Sequence, residues 1–253
     1  MMARKKYLLI GAGIASFVLF AIAFIPASVV TNRLADIARI GGVEGSLWNG
    51  HVRSIDINGW QLQDTDWDLN PAALLLGRLS ASVATHIAGS EINAHASISV
   101  SGNLSVRDLE ASGPIAPLAG KFNLPVTGGR YQVQLSALDI TDNWPTRLIG
   151  SAHVNGVPLN IMGNGAAGPT GNYSLAFDAE TVPEDGRLSG ALSDDGGPVE
   201  IEGSILLTPP VNYELQAKIR ARPTAPVEIV QALNLAGPVG PDGRREISIA
   251  GTL

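Results

Sequence analysis

The 253-residue sequence contains no cysteine, few aromatic residues and few charged ones. The absence of cysteine excludes disulfides, thiolate metal sites, a thiol nucleophile and a lipid-modified N-terminal cysteine. Aromatic residues make up 5% of the chain and charged residues 16%, whereas 29 glycines and 16 prolines favour many short strands joined by turns. A net charge of −6 leaves no basic field of the kind that nucleic-acid binding requires, so we expect no nucleic-acid partner.

Catalytic and ligand-binding motifs are also missing from the sequence. The four histidines lack the spacing of metal ligands. Asp64, Asp66 and Asp68 begin like a calcium loop, but the glycine and the glutamate that such a loop requires are absent, and alternation along a strand explains the three acids. The G-x-G-x-x-G match at Gly163–Gly168 is followed by another alternating segment instead of the helix that dinucleotide binding needs. We therefore expect no enzymatic activity, no metal and no cofactor.

The N-terminus contains one long hydrophobic run. Residues 7–25 carry no charge and, as a helix, span roughly 29 Å, which matches the hydrocarbon core of a bilayer. Because Arg4, Lys5 and Lys6 precede this run, residues 1–6 are predicted to be cytoplasmic and the rest of the chain exported. The alternative is a signal peptide cleaved after Ala23. Residues 26–40 are predicted to form an amphipathic helix next to the membrane.

From residue 41 onward the dominant pattern is alternation of apolar and polar residues, which predicts half-buried strands. Helix is predicted only in short segments, at 227–235, as a brief apolar helical turn at 72–76 that Gly77 ends, and as turns at 114–120 and 144–149. We therefore predict a mainly β protein, in which an N-terminal transmembrane helix is followed by an elongated, twisted, mostly antiparallel sheet with few short helices, residues 41–253 forming one domain. The clearest alternating runs are Leu79–Ile87, Ile92–Val100, Tyr131–Leu135, Tyr173–Phe177 and Tyr213–Ile219.

Three of the four tryptophans lie in one short block, residues 43–79. Its order, G-S-L-W-N-G, then strands, then W-x-L-x-P-x-x-L-L-x-G, resembles the N-terminal signature of the type II (general) secretion pathway protein N family. Trp60 follows a predicted Asn58-Gly59 turn, and it is the residue that we expect at an interface. The signature residues, to which we assign structural roles, are Gly45, Leu47, Trp48, Asn49, Gly50, Trp67, Leu69, Pro71, Leu74, Leu75 and Gly77.

This resemblance implies a non-enzymatic accessory component of the type II protein secretion system, anchored in the inner membrane by a single span. Residues 41–253 would then lie in the periplasm, with the inner-membrane platform proteins and the secretin as partners. A second, weaker pattern, apolar-x-Gly-polar-apolar, recurs at Gly45, Gly102, Gly203 and Gly251 and resembles the AsmA-like membrane-anchored β proteins. That resemblance implies the alternative, a lipid-binding or lipid-transfer protein of the cell envelope whose apolar sheet face is an open groove.

Overall fold

A computed structural model describes residues 38–121, 126–159, 169–183, 185–210, 212–235 and 237–252. The chain divides into two compact units, Met1–Ile87 and Ala88–Leu253. The predicted cytoplasmic tail and transmembrane segment, residues 1–25, lie outside the described residues. In the part that is described, no helix has both the length and the apolar character needed to cross a bilayer.

Unit 1 contains an antiparallel meander of four strands. The strands are β1 (Arg39–Gly45), β2 (Asn49–Ile57), β3 (Trp60–Leu69) and β4 (Arg78–Ile87), and a short helix α1 (Pro71–Leu74) follows β3. Asn58 and Gly59 both have positive φ angles, of 51° and 78°, and this is the backbone of the two-residue turn that best matches strand twist. Arg39 and Ile40 belong to β1 and Ala38 is in no helix, so the predicted helix 26–40 is corrected at that end; residues 26–37 are not described.

Unit 2 continues the same pattern, with each strand paired antiparallel to its neighbour in the chain. Two helices, α2 (Ile115–Lys121) and α3 (Val227–Leu235), accompany the sheet. The strands are β5 (Ser90–Ser99), β6 (Leu104–Pro114), β7 (Arg130–Thr141), β8 (Trp144–Pro158), β9 (Thr170–Ala179), β10 (Leu188–Asp194), β11 (Val199–Thr208), β12 (Asn212–Ala221) and β13 (Arg245–Thr252).

The apolar residues of unit 2 align in rows across one face of the sheet, because directly paired residues of neighbouring strands point to the same side. One such row, read from β6 to β13, is Leu109, Leu135, Gly150, Phe177, Gly190, Ile205, Leu215 and Ile249. Helix α3 covers one part of this face, where Ile229 and Leu233 pack against Val199 and Ile219. Most residues of the row from Leu109 to Ile249 are only half-buried.

Several aromatic rings lie over glycines of a paired strand. Phe177 lies over Gly190, where an added Cβ would be 2.7 Å from the ring, and Tyr213 lies over Gly251 in the same way. Such pairs fill the space that a glycine leaves in a strand. Of the four glycines in the weak repeat, Gly203 and Gly251 lie inside strands. The other two have positive φ angles, at the end of β1 and in a turn, so the repeat does not mark one structural unit.

The sequence-based prediction of a mainly β, antiparallel architecture with few helices is confirmed. The helix predicted at 227–235 is present with the same bounds, and the segment predicted as a turn at 114–120 contains all of α2 except its last residue, Lys121. The turn predicted at 144–149 is wrong, since these residues begin β8. Pro145 is accommodated there because the β7–β8 pairing shifts register between Asp139 and Ile140.

Candidate functional site

Trp67 has a structural role within the signature block. It lies directly opposite Gly50 in the β2–β3 pair, and a Cβ added to Gly50 would be 2.3 Å from its Cζ2 atom. The indole Nε1–H donates a hydrogen bond to the carbonyl oxygen of Leu47 at 2.9 Å. The half-buried indole ring thus packs over Gly50, and its N–H group has a hydrogen-bond partner.

The G-S-L-W-N-G part of the signature forms the turn between β1 and β2. Ser46 Oγ accepts hydrogen bonds from the backbone N–H groups of Trp48 and Asn49, each at 3.2 Å. The side chain of Asn49 donates to Asp68 on β3 at 3.1 Å, and the Leu69 N–H donates to the Trp48 carbonyl. The turn is thus tied to the end of β3, and Trp48 is half-buried there.

The second part of the signature forms helix α1 and its two ends. Asn70 Oδ1 accepts a hydrogen bond from the Ala72 N–H at 3.0 Å, which caps the helix, and Pro71 occupies the first helical position. Gly77 has a φ of 66° and ends the segment. Pro71 therefore begins α1, Gly77 ends the turn that follows the helix, and no residue within α1 is buried.

The last residue of α1, Leu74, and the three leucines that follow it are exposed. Leu75 and Leu76 are 89% and 75% exposed, and Leu74 and Leu79 are close to half exposed. We call these four residues the leucine loop. The structural roles assigned to Leu74 and Leu75 from the sequence stay predictions, and among the described residues Leu75 is largely exposed. From Leu69 to Thr85 the chain carries one charged residue, Arg78, so the loop is an apolar surface with a single cation beside it.

Trp60, the interface residue predicted from the sequence, is half-buried opposite Ile57 beside the Asn58-Gly59 turn. The leucine loop lies at the other end of the unit 1 strands, together with the Gly45–Asn49 turn. The sequence did not predict that this loop is exposed, because a short apolar run such as A-A-L-L-L is typical of a buried segment.

Two of the three aspartates of β3 lie close to one histidine. His51 Nδ1 lies 2.9 Å from Asp66 Oδ1, and its Nε2 lies 3.8 Å from Asp64 Oδ1. The predicted alternation is interrupted at Asp64, whose φ of 47° coincides with a register shift between Gln63 and Asp66. Thr65 is buried on the opposite side, where its hydroxyl lies 2.7 Å from that of Thr85. In the described ranges no three His, Cys, Asp or Glu side chains converge to hold a metal ion.

Asp194, at the end of β10, is the best-connected carboxylate of unit 2. It accepts hydrogen bonds from the backbone N–H groups of Ile201 and Gly196 and from the guanidinium of Arg222. Burial alone would raise the pKa of Asp194, but these donors outweigh burial and lower the pKa below its ordinary value. The nearby Tyr173 has a raised pKa, chiefly because of its burial and also because of the Asp194 charge. Asp194 therefore fixes the β10–β11 turn.

The polar face of β11–β13 contains a network of ion pairs. Glu200 accepts from Arg220 and Arg244, both at 2.6 Å, and Lys218 lies 3.4 Å from Asp242. The hydrogen bond from Arg220 is the main cause of the lowered pKa of Glu200. Each acid in this network already has a basic partner, an arrangement typical of a solvated sheet face.

Taken together, the described residues define a protein of antiparallel β meanders with one partly open apolar sheet face and one exposed apolar loop. A model of the family described as type II secretion system (T2SS), protein N, matches residues 38–248, so this chain belongs to that family. The type II secretion system protein N of Aeromonas hydrophila is 24% identical over 252 residues, which cover 95% of each chain. The protein of the same name from Vibrio cholerae serotype O1 is 45% identical over 42 residues, 17% of each chain.

No solved structure was found to match the chain. The family resemblance predicted from the tryptophan-rich signature is confirmed by the match to the family model and by the Aeromonas relative.

Proposed function

We propose that this chain is a non-enzymatic accessory component of the type II secretion system. In this proposal residues 7–25 anchor it in the inner membrane, the N-terminus is cytoplasmic, and the β-rich part lies in the periplasm. There the leucine loop binds another secretion component, of which the platform proteins and the secretin are the candidates. Family membership supports the secretion role, and the exposure of Leu75 and Leu76 supports the contact.

The leucine loop is suited to a protein contact on energetic grounds. Full burial of a leucine side chain contributes about 1.5–3 kcal/mol, and Leu75 and Leu76 are both largely available for burial by a partner. Two such side chains contribute roughly 3–6 kcal/mol before the cost of association is subtracted. That gain suits a reversible contact within a larger assembly.

The leucine loop is also far from the start of β1. β1 begins at Arg39, at the opposite end of the strands from the leucine loop. A ten-residue strand such as β3 is roughly 33 Å long. The loop is therefore separated from the start of β1 by about the length of a strand.

A complementation experiment tests this proposal. Deletion of the gene is expected to leave folded exoproteins in the periplasm, and the wild-type gene restores their release. We expect a Leu75→Ser, Leu76→Ser variant not to restore release although it accumulates at the normal level. The matched control is Val100→Ser, since Val100 is 92% exposed in the β5–β6 turn. Full release by the double variant would refute the role of the loop, and normal export after deletion would refute the secretion role.

A second candidate function, lipid handling of the AsmA-like type, is favoured by the partly open apolar face of unit 2. Leu215 is half-buried, and Ile249 is 49% exposed on this face. Exposed apolar surface that is continuous over several strands is typical of binding sites for apolar ligands. Native purification followed by lipid analysis distinguishes the two functions. Stoichiometric phospholipid, together with normal export and altered envelope permeability after deletion, would favour lipid handling.

A further inference from the structure

Arg78 lies next to the leucine loop, and its guanidinium has no ionic partner within the described ranges. It is exposed at the first position of β4, between Gly77 and Leu79. Most of the other described arginines pair with a carboxylate, as Arg53 does with Glu44 at 3.7 Å. Arg78 is therefore available to an acidic group that a partner supplies.

The register of the β3–β4 pair explains why Arg78 lacks a carboxylate from its own unit. Asp68, the last acidic residue of β3, lies opposite Ser82 of β4. Ser82 is four residues from Arg78, which corresponds to about 13 Å along a strand. Asp68 also accepts a hydrogen bond from the side chain of Asn49 at 3.1 Å. The strand register thus holds the acidic residues of β3 out of reach of Arg78.

Backbone hydrogen bonds hold the leucine loop in one shape. The N–H of Asn70 donates to the carbonyl oxygen of Ser80 at 2.8 Å and closes the base of the loop. The N–H of Gly77 donates to the carbonyl oxygen of Leu74 at 3.0 Å, directly before Arg78. A loop that is already ordered loses little conformational entropy when it binds. The leucines and the guanidinium are therefore presented together, as one preformed surface.

The charges around the loop favour a protein over an anionic lipid surface as the occupant. Recognition of anionic lipids takes roughly four to eight clustered basic residues, whereas Arg78 is the one charged residue between Leu69 and Thr85. Alternation along the paired strands also puts Asp66 and Asp68 on the same side of the sheet as Arg78, and an anionic bilayer repels these carboxylates. One cation within an apolar surface fits an apolar protein groove that contains one carboxylate.

We propose that Arg78 selects the partner of the leucine loop by pairing with a carboxylate at the rim of an apolar groove on another secretion component. This inference rests on the proposed function, because it specifies the surface that the loop contacts. The planar guanidinium presents two parallel N–H groups to a carboxylate, a geometry that lysine lacks. A partner without the carboxylate leaves the guanidinium buried and unpaired when the leucines dock, so such a partner is rejected.

Complementation with charge variants tests the pairing. Arg78→Glu is expected to lower exoprotein release at least tenfold at a normal protein level, because two carboxylates then face each other. Arg130→Glu is the matched control and is expected to release normally, since Arg130 is also exposed, also begins a strand and makes no ion pair among the described residues. Normal release by Arg78→Glu would overturn the inference. If Leu75→Ser, Leu76→Ser still fails to release, the proposed loop contact stands without it.

Zero-length cross-linking identifies the carboxylate. A carbodiimide joins an amine to a carboxylate without a spacer, so the two groups must be in contact. In membranes from cells that produce Arg78→Lys, the introduced amine is expected to be joined to an aspartate or glutamate of a platform protein or the secretin, located by mass spectrometry. Arg130→Lys is expected to give no such product. Equal products from the two variants, or none from Arg78→Lys, would overturn the inference.

A vesicle experiment distinguishes a protein carboxylate from a lipid phosphate. The full chain in phosphatidylcholine nanodiscs is mixed with phosphatidylglycerol vesicles, which are then floated through a density gradient. We expect the wild-type chain not to float with the vesicles. Flotation of the wild type that Arg78→Glu abolishes would show that Arg78 binds lipid phosphate, and it would overturn the inference.

Discussion

Asp194 illustrates how a single side chain fixes a turn of unit 2. Its side chain is 6% exposed and holds two backbone N–H groups and Arg222. Because its pKa is lowered on folding, the carboxylate contributes stability above the unfolded pKa of about 3.9, and this contribution is lost as the pH falls through the lower folded value. We expect Asp194→Asn to lower the free energy of unfolding at pH 7 by about 1–3 kcal/mol.

The pH dependence of this variant separates charge from packing. The stability difference between wild type and Asp194→Asn, measured by urea unfolding, is expected to shrink as the pH falls below about 4. Asp195→Asn is the control, since Asp195 is 43% exposed and pairs with His153 at the surface, where an ion pair contributes under about 1 kcal/mol. A difference for Asp194→Asn that did not change with pH would contradict the assigned role of the charge.

Helix α3 shows what one short helix contributes to the stability of the sheet that it covers. Ile229 is 1% exposed in its contact with β11 and β12, whereas Val230, next in the chain, is 38% exposed. We expect Ile229→Ala to lower the free energy of unfolding by about 2–4 kcal/mol, because it leaves a cavity between helix and sheet. Val230→Ala is expected to change it by under about 0.5 kcal/mol. Equal effects of the two substitutions in urea unfolding would show that α3 does not cover the sheet.

The elements that the sequence predicted are those whose local pattern agrees with their packing. The helix at 227–235 has flanking prolines and an apolar stripe, and the strand containing Tyr213–Ile219 alternates along its length. The start of β8 could not be predicted, because Trp144-Pro145 has the composition of a turn and only pairing with β7 makes it a strand. A structural role for Trp67 stays a prediction from its residue type. The exposure of Leu75 could not be predicted from the sequence, because it depends on which elements the fold leaves uncovered.

The orientation of the whole molecule in the cell is a prediction from its N-terminal charge. Arg4, Lys5 and Lys6 favour a cytoplasmic N-terminus. A reporter that is active only in the periplasm is therefore expected to be active when fused after Ile40 and inactive when fused after Lys6. Detection of an N-terminal tag on the mature protein would show that the segment is retained as an anchor. Activity only of a cytoplasmic reporter after Ile40 would contradict the orientation.

Within each unit, the order of strands in the sheet is the order of strands in the chain. Contacts between strands therefore join segments that are close in sequence, and the loop-closure entropy of each new pairing stays small. Each hairpin adds to an edge that already exists and displaces none of the earlier pairings. Such a sheet grows in the way that a repeat array grows, so evolution can widen or narrow it by whole hairpins while the residues elsewhere keep their neighbours.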